Sequence, residues 1–431
     1  MKTPVVDYLQ HVLTQCDDNV QGQLADYIPE LARANPNYLA LALSTVDGVL
    51  YTSGDATVEF TIQSMSKPFV YALALQHHGI DHVLSKVGVE PSGEAFNEIS
   101  LDKNHHLPKN PMINSGAITT HSLIPVHAEY SRAEQFRQFL SELAGRELKF
   151  DEQVYQSELK TAFRNLSIGY MLRTVGVLDE DPVAVVEGYI RQCAILVTVQ
   201  DMVQMGNVLA NGGIHAKTGK RLLSRAVVRQ VLSVMMSCGM YDAAGDWLSN
   251  VGIPAKSGVA GGIMGILPGK VSIAVFSPKL DEHGNSVRGV HIFERLSQDM
   301  GLHVMEGTVS AQTILQRRYE ADRQGKVIVF ELVGALQFAE AEMLLRLLQQ
   351  EPDDINTLVF DLNNLVFVHD VGERMLLEAF DRLRADGHQI SVVDPDHLLQ
   401  RHATHQGYTF AVYSTVNEYL AQQACDEGEN S

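Results

Sequence analysis

A serine and a lysine three residues apart form a pair that could carry out nucleophilic catalysis. Ser64 and Lys67 stand in the run Ser-Met-Ser-Lys, and one helical turn places such residues on the same face. A serine hydroxyl is a weak nucleophile at neutral pH, and a desolvated lysine amine beside it can activate it. The pair indicates acyl-serine chemistry. The spacing is common, however, and taken alone it fits a helix cap and a surface lysine better.

A second motif far along the chain strengthens this interpretation. Lys256-Ser257-Gly258 is the usual companion of Ser-x-x-Lys in acyl-serine enzymes. A strand that carries it can present backbone N–H groups to an oxyanion, and its glycine allows close approach of a substrate. By itself the segment is equally compatible with a glycine-rich hairpin without chemistry. The two motifs in this order favour an enzyme.

The elements around the motifs are predicted from hydrophobic periodicity and turn residues. Residues 38–44, 49–53 and 272–277 have the patterns of strands. Ser64 begins a mostly apolar helix that ends near Gly79, and the long stretch between the two motifs is rich in helical patterns. We therefore predict strands, a helical insertion and then strands again.

Composition indicates a soluble enzyme with an additional module. The 431 residues are 45% hydrophobic, which is enough for more than one core. The formal net charge of −19 argues against nucleic-acid binding. No apolar run approaches the roughly 20 residues that span a bilayer. Residues 1–21 carry neither a signal-peptide core nor an Arg-rich transit pattern, so we expect a cytoplasmic protein without membrane contact.

Metal and cofactor motifs are not recognisable in the sequence. The four cysteines are widely spaced, with no Cys-x-x-Cys, which argues against a disulfide framework or a zinc site. Neither a phosphate-binding loop with a lysine nor Gly-x-Gly-x-x-Gly after a strand is present. We therefore expect no metal and no cofactor.

The chain is predicted to divide into a catalytic domain, residues 1–310, and a smaller domain, residues 326–425. The charged segment 311–325 between them has a helical pattern and is predicted to be a helical linker, and the acidic end, 426–431, a disordered tail. In the smaller domain strands alternate with helices, which implies βαβ units and a sheet layered with helices. Its last predicted helix lies near residues 396–402.

Further motifs lie before, between and after the two described above. They are Asp26-Tyr27-Ile28-Pro29, Pro91-Ser92-Gly93, Asn110-Pro111-Met112-Ile113-Asn114-Ser115-Gly116, Ser157-Glu158, Arg164-Asn165, Tyr189-Ile190-Arg191-Gln192-Cys193, and Ser237-Cys238-Gly239-Met240-Tyr241-Asp242. In this order they resemble the serine-dependent glutaminases of the β-lactamase-like superfamily, over roughly residues 20–300. The resemblance implies a β-lactamase/DD-peptidase-like catalytic domain, with an antiparallel sheet and a helical part, that hydrolyses L-glutamine to L-glutamate and ammonia.

The resemblance also implies a role for each matching position. Ser64 matches the nucleophile, Lys67 and Tyr241 match the pair that moves protons to and from it, and the backbone N–H groups of Ser64 and Val259 match the oxyanion hole. The positions that match the substrate pocket are Tyr27, Gln63, Ser64, Asn114, Glu158, Asn165, Tyr189, Tyr241 and Val259. A carboxylate such as Glu158 suits the ammonium of a free amino acid. The family further implies a homo-oligomer, a dimer or a tetramer.

The strand and turn patterns of residues 326–425 are similar to STAS (sulfate transporter and anti-sigma antagonist) domains. They are Val327-x-x-Phe330-x-Leu332-x-Gly334-x-Leu336, Leu358-Val359-Phe360-Asp361-Leu362, and Gly372 before Met375-Leu376-Leu377. Regulatory members carry a serine for phosphorylation just before the glycine turn. This chain has His369-Asp370-Val371 there, so Asp370 would supply a constant negative charge instead of a switch. The resemblance implies a small α/β module that binds a regulatory ligand or partner.

Two other functions stay open at this point. A different acyl-serine amidohydrolase, of the β-lactamase or peptidase type, would use Ser64, Lys67 and Tyr241 for the same chemistry. A non-catalytic sensor would bind an amino acid in the pocket and report its occupancy through the second domain. A sensor has no need of all three reactive side chains, and ammonia release from glutamine would separate these functions.

Overall fold

The structure, a computed structural model, describes residues 5–17, 21–93, 97–102, 105–305, 314–321, 327–336, 338–348, 355–401, 403–404 and 406–429. The chain divides into two compact units, Met1–Glu306 and Gly307–Ser431. Each unit encloses its own hydrophobic clusters. Within the described residues, no helix has both the length and the apolar character needed to cross a membrane.

An antiparallel sheet forms the centre of the first unit. The strands described in this unit are β1 Ala40–Thr45, β2 Leu50–Gly54, β3 Phe60–Thr61, β4 Lys149–Phe150, β5 Ile195–Val197, β6 Ala255–Gly258, β7 Gly262–Leu267 and β8 Val271–Phe276. The main sheet has the order β2-β1-β8-β7-β6, with Ala40 opposite Phe276 and Lys256 opposite Met264. A small second sheet has the order β3-β5-β4. Strands from both ends of the unit therefore meet in one sheet, and the predicted order of strands, helices and strands is confirmed.

Helices cover both faces of the main sheet. The helices described in this unit are α1 Val5–Asp17, α2 Pro29–Ala32, α3 Lys67–His78, α4 Ile80–Leu84, α5 Asn114–Ser122, α6 Arg132–Ala144, α7 Glu152–Lys160, α8 Phe163–Thr174, α9 Pro182–Cys193, α10 Val199–Ala210, α11 Arg225–Cys238, α12 Ala244–Asn250 and α13 Val287–Met300. Side chains alternate along β1, so Ala42 packs in the cluster that contains α10 and Leu43 in the one that contains α1 and α13. Because both faces are covered, the central strands β7 and β8 are buried along their whole length and are almost entirely apolar.

The second unit is a sheet layered between helices. Its described elements are β9 Leu315–Glu320, β10 Val327–Leu336, α14 Phe338–Leu348, β11 Thr357–Val368, α15 Asp370–Ala385, β12 Gln389–Val393, β13 Ala411–Tyr413 and α16 Val416–Glu429. The strand order is β13-β12-β11-β10-β9, in which β10 to β13 are parallel and β9 is antiparallel to β10. Phe330, Phe360 and Phe380 stack in the core on one face, and Val359 and Tyr419 pack on the other. The predicted α/β architecture is confirmed.

The prediction of a helical linker over 311–325 is wrong for the part that the structure describes. Residues Leu315–Glu320 form β9, which pairs with β10, while 311–313 and 322–325 lie outside the described residues. Arg317 binds Glu331 on the neighbouring strand at 2.8 Å. Pairing with a neighbouring strand outweighed the helical pattern of the segment, and charged side chains are common on such edge strands. The second unit thus begins before residue 326.

Two other predictions near the end of the chain also fail. No helix forms in the described part of 396–402, because Asp394 accepts hydrogen bonds from the N–H groups of Leu398 and Leu399 and closes a turn instead. The tail predicted at 426–431 is helical up to Glu429, since α16 continues through this segment, and 430–431 lie outside the described residues. The alanines and glutamines of the preceding turn, residues 421–424, favour a helix that continues into this segment.

Candidate active site

A tight turn carries the proposed nucleophile. β3 ends at Thr61, a 3-10 turn spans Gln63–Ser66, and α3 continues from Lys67. Gln63 has a φ of 48°, a left-handed conformation that is uncommon for a residue with a side chain and recurs at functional sites. Ser64 is 6% exposed and Lys67 is fully buried. A surface role for Lys67 is therefore excluded.

Asn114 connects the buried lysine to the side chains of the pocket. Its Oδ1 accepts a hydrogen bond from Lys67 Nζ at 2.7 Å and one from the Tyr189 hydroxyl at 3.3 Å, and its Nδ2 donates to Asn165 Oδ1 at 2.9 Å. Burial lowers the pKa of Lys67 to about 8. An appreciable fraction of this amine is neutral near pH 7.5, so it can accept a proton.

Tyr241 reaches the nucleophile from a distant segment. It begins a 3-10 turn after α11 and has a φ of 57°, which is strained for an aromatic residue. Its hydroxyl hydrogen-bonds the Ser64 side chain and donates to the carbonyl oxygen of Ser257 at 3.2 Å. Burial raises the pKa of Tyr241 to about 12. The phenol is therefore neutral at physiological pH and is placed to relay a proton.

Lys256 is a member of the site that the sequence analysis did not assign. It is fully buried on β6, its Nζ donates to the carbonyl oxygen of Ser257 at 2.8 Å, and the same atom lies 3.9 Å from the centre of the Tyr241 ring. Burial, together with the charge of Lys67, lowers the pKa of Lys256 well below its usual range. The Lys-Ser-Gly motif marks this lysine in the sequence, although the motif alone indicates a role only for the backbone of the strand.

A cavity of about 150 Å³ lies in front of the nucleophile. The pocket positions that line it are Tyr27, Gln63, Ser64, Asn114, Glu158, Asn165, Tyr189 and Val259. Tyr241 does not line this cavity, because only its hydroxyl reaches Ser64 and its ring borders a neighbouring cavity of about 360 Å³. Tyr27 is 51% exposed, which places it at the mouth. The structure thus brings eight of the proposed pocket residues together around one small volume, while Lys67 contacts Asn114 behind it.

Glu158, which lines this cavity, has one buried oxygen without a hydrogen-bond partner among the described residues. One of its oxygens hydrogen-bonds Gln63, and Oε2 is buried without a hydrogen bond from any described residue. Burial raises the pKa of Glu158 to about 7. A buried carboxylate oxygen without a donor is costly unless a ligand supplies one. An ammonium group bound here would satisfy this oxygen and favour its charged form.

Additional residues of the pocket wall were not assigned from the sequence. Thr161 and Cys193 also line the cavity. Burial raises the pKa of Cys193 to about 12, so this thiol stays protonated. Arg164 donates to the carbonyl oxygen of Asn97 at 2.6 Å and to Glu98 at 3.0 Å, and so ties that segment to α8. Arg164 and Cys193 stand in motifs that carry the family resemblance, but the resemblance implies no role for either residue.

The first unit matches a family model described as Glutaminase over residues 22–305, and the second matches a STAS domain over residues 318–419. The chain therefore belongs to the glutaminase family and carries a C-terminal STAS domain. Both resemblances predicted from the sequence are confirmed.

Individual relatives cover both units. The chain is 49% identical to a glutaminase of Corynebacterium glutamicum, over 92% of this chain and 95% of the relative. It superposes on a crystal structure of Mglu in its glutamate form with a TM-score of 0.85 and 44% identity, over 93% of this chain and all of the other. A probable glutaminase of Bacillus subtilis matches 69% of this chain and 97% of its own, with a TM-score of 0.65 and 32% identity.

Proposed function

We propose that this chain hydrolyses L-glutamine to L-glutamate and ammonia through an acyl intermediate on Ser64. The observation that carries the proposal is the hydrogen bond between Ser64 and the Tyr241 phenol, beside two buried lysines and at the floor of an amino-acid-sized cavity. A relative solved in a glutamate form, 44% identical, is consistent with glutamate as the product.

The proposed reaction balances its protons within the site. Neutral Lys67 takes the Ser64 proton, directly or through Tyr241, and Ser64 Oγ attacks the side-chain amide carbon of glutamine. The N–H groups of Ser64 and Val259 stabilise the resulting oxyanion. The C–N bond breaks as the Tyr241–Lys67 pair returns the proton to the leaving ammonia. Water then attacks the ester carbonyl by the same route in reverse and releases glutamate.

Substrate recognition follows from the charges of a free amino acid. The ammonium would bind the unpartnered oxygen of Glu158, and the amide groups of Asn114 and Asn165 and the Tyr189 hydroxyl would be placed for the carboxylate and the side-chain amide. An ammonium and a carboxylate on the same α-carbon distinguish a free amino acid from a peptide or a lactam. This charge pattern argues against the β-lactamase and peptidase alternatives. The presence of Ser64, Lys67 and Tyr241 together argues against a non-catalytic sensor.

Hydroxylamine tests the covalent step directly. An ester of glutamate on Ser64 should partition between water and this stronger nucleophile, so glutamine turnover in its presence should yield γ-glutamyl hydroxamate at the expense of glutamate. Ammonia release should stay unchanged or increase, because acylation precedes the partition. Turnover without any hydroxamate would indicate direct attack by water. Hydrolysis of a chromogenic cephalosporin in place of glutamine would favour the β-lactamase alternative.

The two perturbed groups of the site predict an unusual pH profile. Glu158 must be charged to bind an ammonium and Lys67 must be neutral to act as a base, so activity rises as pH passes both about 7 and about 8. A plot of log kcat/KM against pH should therefore approach a slope of two below pH 7 and a slope of one between the two values. The measurement is ammonia release across buffers of constant ionic strength.

Glu158→Gln assigns the lower inflection of this profile. The variant should lose the steeper limb, and KM should rise about 100-fold, because a buried charge partner of the ligand typically contributes a few kcal/mol. Glu152→Gln on the same helix, an exposed residue that pairs with Arg191, is the matched control and should behave as the wild type. An unchanged KM in Glu158→Gln would contradict the ammonium assignment.

The second unit is proposed to have a regulatory role. We expect the STAS domain to bind a regulatory ligand or partner, with the exposed Asp370 at the start of α15 as a constant negative charge. Asp370→Arg should leave basal turnover unchanged, and a loss of basal turnover would contradict a binding role.

Exposed Phe163 and Tyr170 on α8 favour the predicted homo-oligomer, which light scattering would test. Cytoplasmic localisation stays a prediction.

A further inference from the structure

A chain of buried hydrogen bonds runs from the nucleophile turn into the helical part of the first unit. The Ser66 hydroxyl donates to the carbonyl oxygen of Gln63 at 2.8 Å, and Gln192 Nε2 donates to Ser66 Oγ at 3.0 Å. Gln192 Oε1 lies 2.8 Å from His121 Nδ1. Ser66, Gln192 and His121 are at most 1% exposed, so water does not compete for these bonds. None of the three residues lines the cavity in front of Ser64.

The chemistry of the three side chains determines which group donates and which accepts in each hydrogen bond. Ser66 has one proton and gives it to the Gln63 carbonyl, so its oxygen must accept from the Gln192 amide nitrogen. The Gln192 oxygen then accepts, and His121 Nδ1 must carry a proton. Burial lowers the pKa of His121 to about 4, so the ring is neutral with its proton on Nδ1. Each of the three hydrogen bonds therefore has one defined donor and one defined acceptor.

The hydrogen-bond chain ends at the carbonyl oxygen of Gln63. This carbonyl belongs to the same peptide unit as the N–H of Ser64, the proposed oxyanion donor. The carbonyl of Gln63 and the N–H of Ser64 are parts of one planar, trans peptide unit, in which they point in opposite directions. The hydrogen bond that holds the Gln63 carbonyl toward Ser66 therefore points the Ser64 N–H in the opposite direction, away from Ser66. Gln63 has a left-handed φ of 48°, a conformation that needs support from its surroundings.

The same chain links the turn to the two helices that carry pocket residues. His121 lies on α5, which begins with Asn114, and Gln192 lies on α9, three residues after Tyr189. Gly188 is required for this approach, since a Cβ atom there would lie 2.4 Å from His121 Nε2. The turn, α5 and α9 are therefore held in one register by polar contacts in addition to apolar packing.

We propose that Ser66, Gln192 and His121 are positioning residues, which aim the Ser64 N–H at the oxyanion of the acylation and deacylation steps. The inference rests on the proposed function of Ser64. An oxyanion contact is made in the transition state and not in the ground state, so loss of aim lowers kcat and leaves KM nearly unchanged. Complete loss of one such donor costs about 10²–10³-fold in kcat, and misalignment should cost less, about 10- to 100-fold.

Gln192→Met tests the proposal because it keeps the side-chain volume and removes both hydrogen bonds. Its kcat for glutamine should fall about 10- to 100-fold, with KM and the calorimetric Kd for glutamate within threefold of the wild type. The matched control is Gln204→Met. Gln204 is a buried glutamine of α10 whose Nε2 has no hydrogen-bond partner among the described residues, so its kcat should stay within twofold.

A second pair of variants distinguishes loss of the hydrogen bond from loss of packing. His121→Asn keeps an N–H donor close to the position of Nδ1, whereas His121→Leu fills the space without a donor. The asparagine variant should retain a higher kcat than the leucine variant at equal thermal stability. Equal kcat in these two, or a Gln192→Met kcat within twofold of Gln204→Met, would overturn the positioning role. A proportional rise in KM and in the glutamate Kd would also overturn it.

Failure of the proposed function has a different signature. It appears in the wild-type chain as glutamine turnover without hydroxamate in the presence of hydroxylamine, whatever the variants of His121 and Gln192 do. Positive trapping combined with unaffected kcat in Gln192→Met would leave the acyl-serine mechanism in place and remove only the positioning chain.

Discussion

Ser64→Ala should lower kcat for glutamine by about 10⁴-fold or more while the protein remains folded. The substitution removes the oxygen that would form the acyl bond, and loss of a nucleophilic serine is among the largest single effects in enzymes of this chemistry. Ser64 is buried beside the cavity and its hydroxyl bonds Tyr241. Removal of this hydroxyl leaves the rest of the pocket in place. Ammonia release and the calorimetric affinity for glutamate together measure the outcome.

Ser272→Ala is the matched control for this substitution. Ser272 is fully buried on β8, and its hydroxyl has no hydrogen-bond partner among the described residues. Removing it should change neither kcat nor stability noticeably. Ser64→Ala should bind glutamate with nearly the wild-type Kd, since the charged ends of the ligand contact other residues. Turnover by Ser64→Ala near the wild-type rate would refute covalent catalysis.

Lys67→Met should have the second largest effect, a loss of about 10²–10⁴-fold in kcat. General base catalysis contributes this much in typical cases, and methionine cannot accept a proton. Methionine of similar length removes the cost of burying the amine, and Asn114 Oδ1 keeps its hydrogen bond from Tyr189, so the thermal midpoint should not fall. The rise in activity near pH 8 should also disappear, because the group whose pKa lies there has been removed.

Lys67→Arg separates the base from the positive charge. Arginine keeps the charge and hydrogen-bond donors for Asn114 but cannot lose its proton in a protein. If Lys67 acts as a base, the arginine variant should be as inactive as the methionine variant. An arginine variant with more than a tenth of the wild-type kcat would show that the charge itself is what the reaction needs.

The local part of the active site could be predicted from the sequence. Ser64 and Lys67 are three residues apart, so the helical geometry that brings them together is the same wherever the segment lies. Turn and strand patterns also located the main sheet, because β1, β2 and β8 alternate between two cores. Tyr241, Glu158 and Asn114 were found only through resemblance to a family, since no local pattern connects them with Ser64.

The predictions that failed depended on partners outside the segments themselves. The segment that forms β9 has a helical pattern, and pairing with β10 decided its conformation. Near residue 396, the side chain of Asp394 closed a turn where periodicity indicated a helix. The place of Lys256 in the site depends on burial and on the ring of Tyr241, and neither is visible along the sequence.

The sequence by itself determined which chemistry the chain can perform: a hydroxyl and an amine one helical turn apart, the Lys-Ser-Gly strand, and the order of elements that carries them. Only the tertiary structure decided that these groups can act together. Burial brings the pKa of Lys67 to about 8 and that of Glu158 to about 7. Desolvation and directed hydrogen bonds arise when segments far apart in the chain enclose the same small volume, and residue types alone do not specify them.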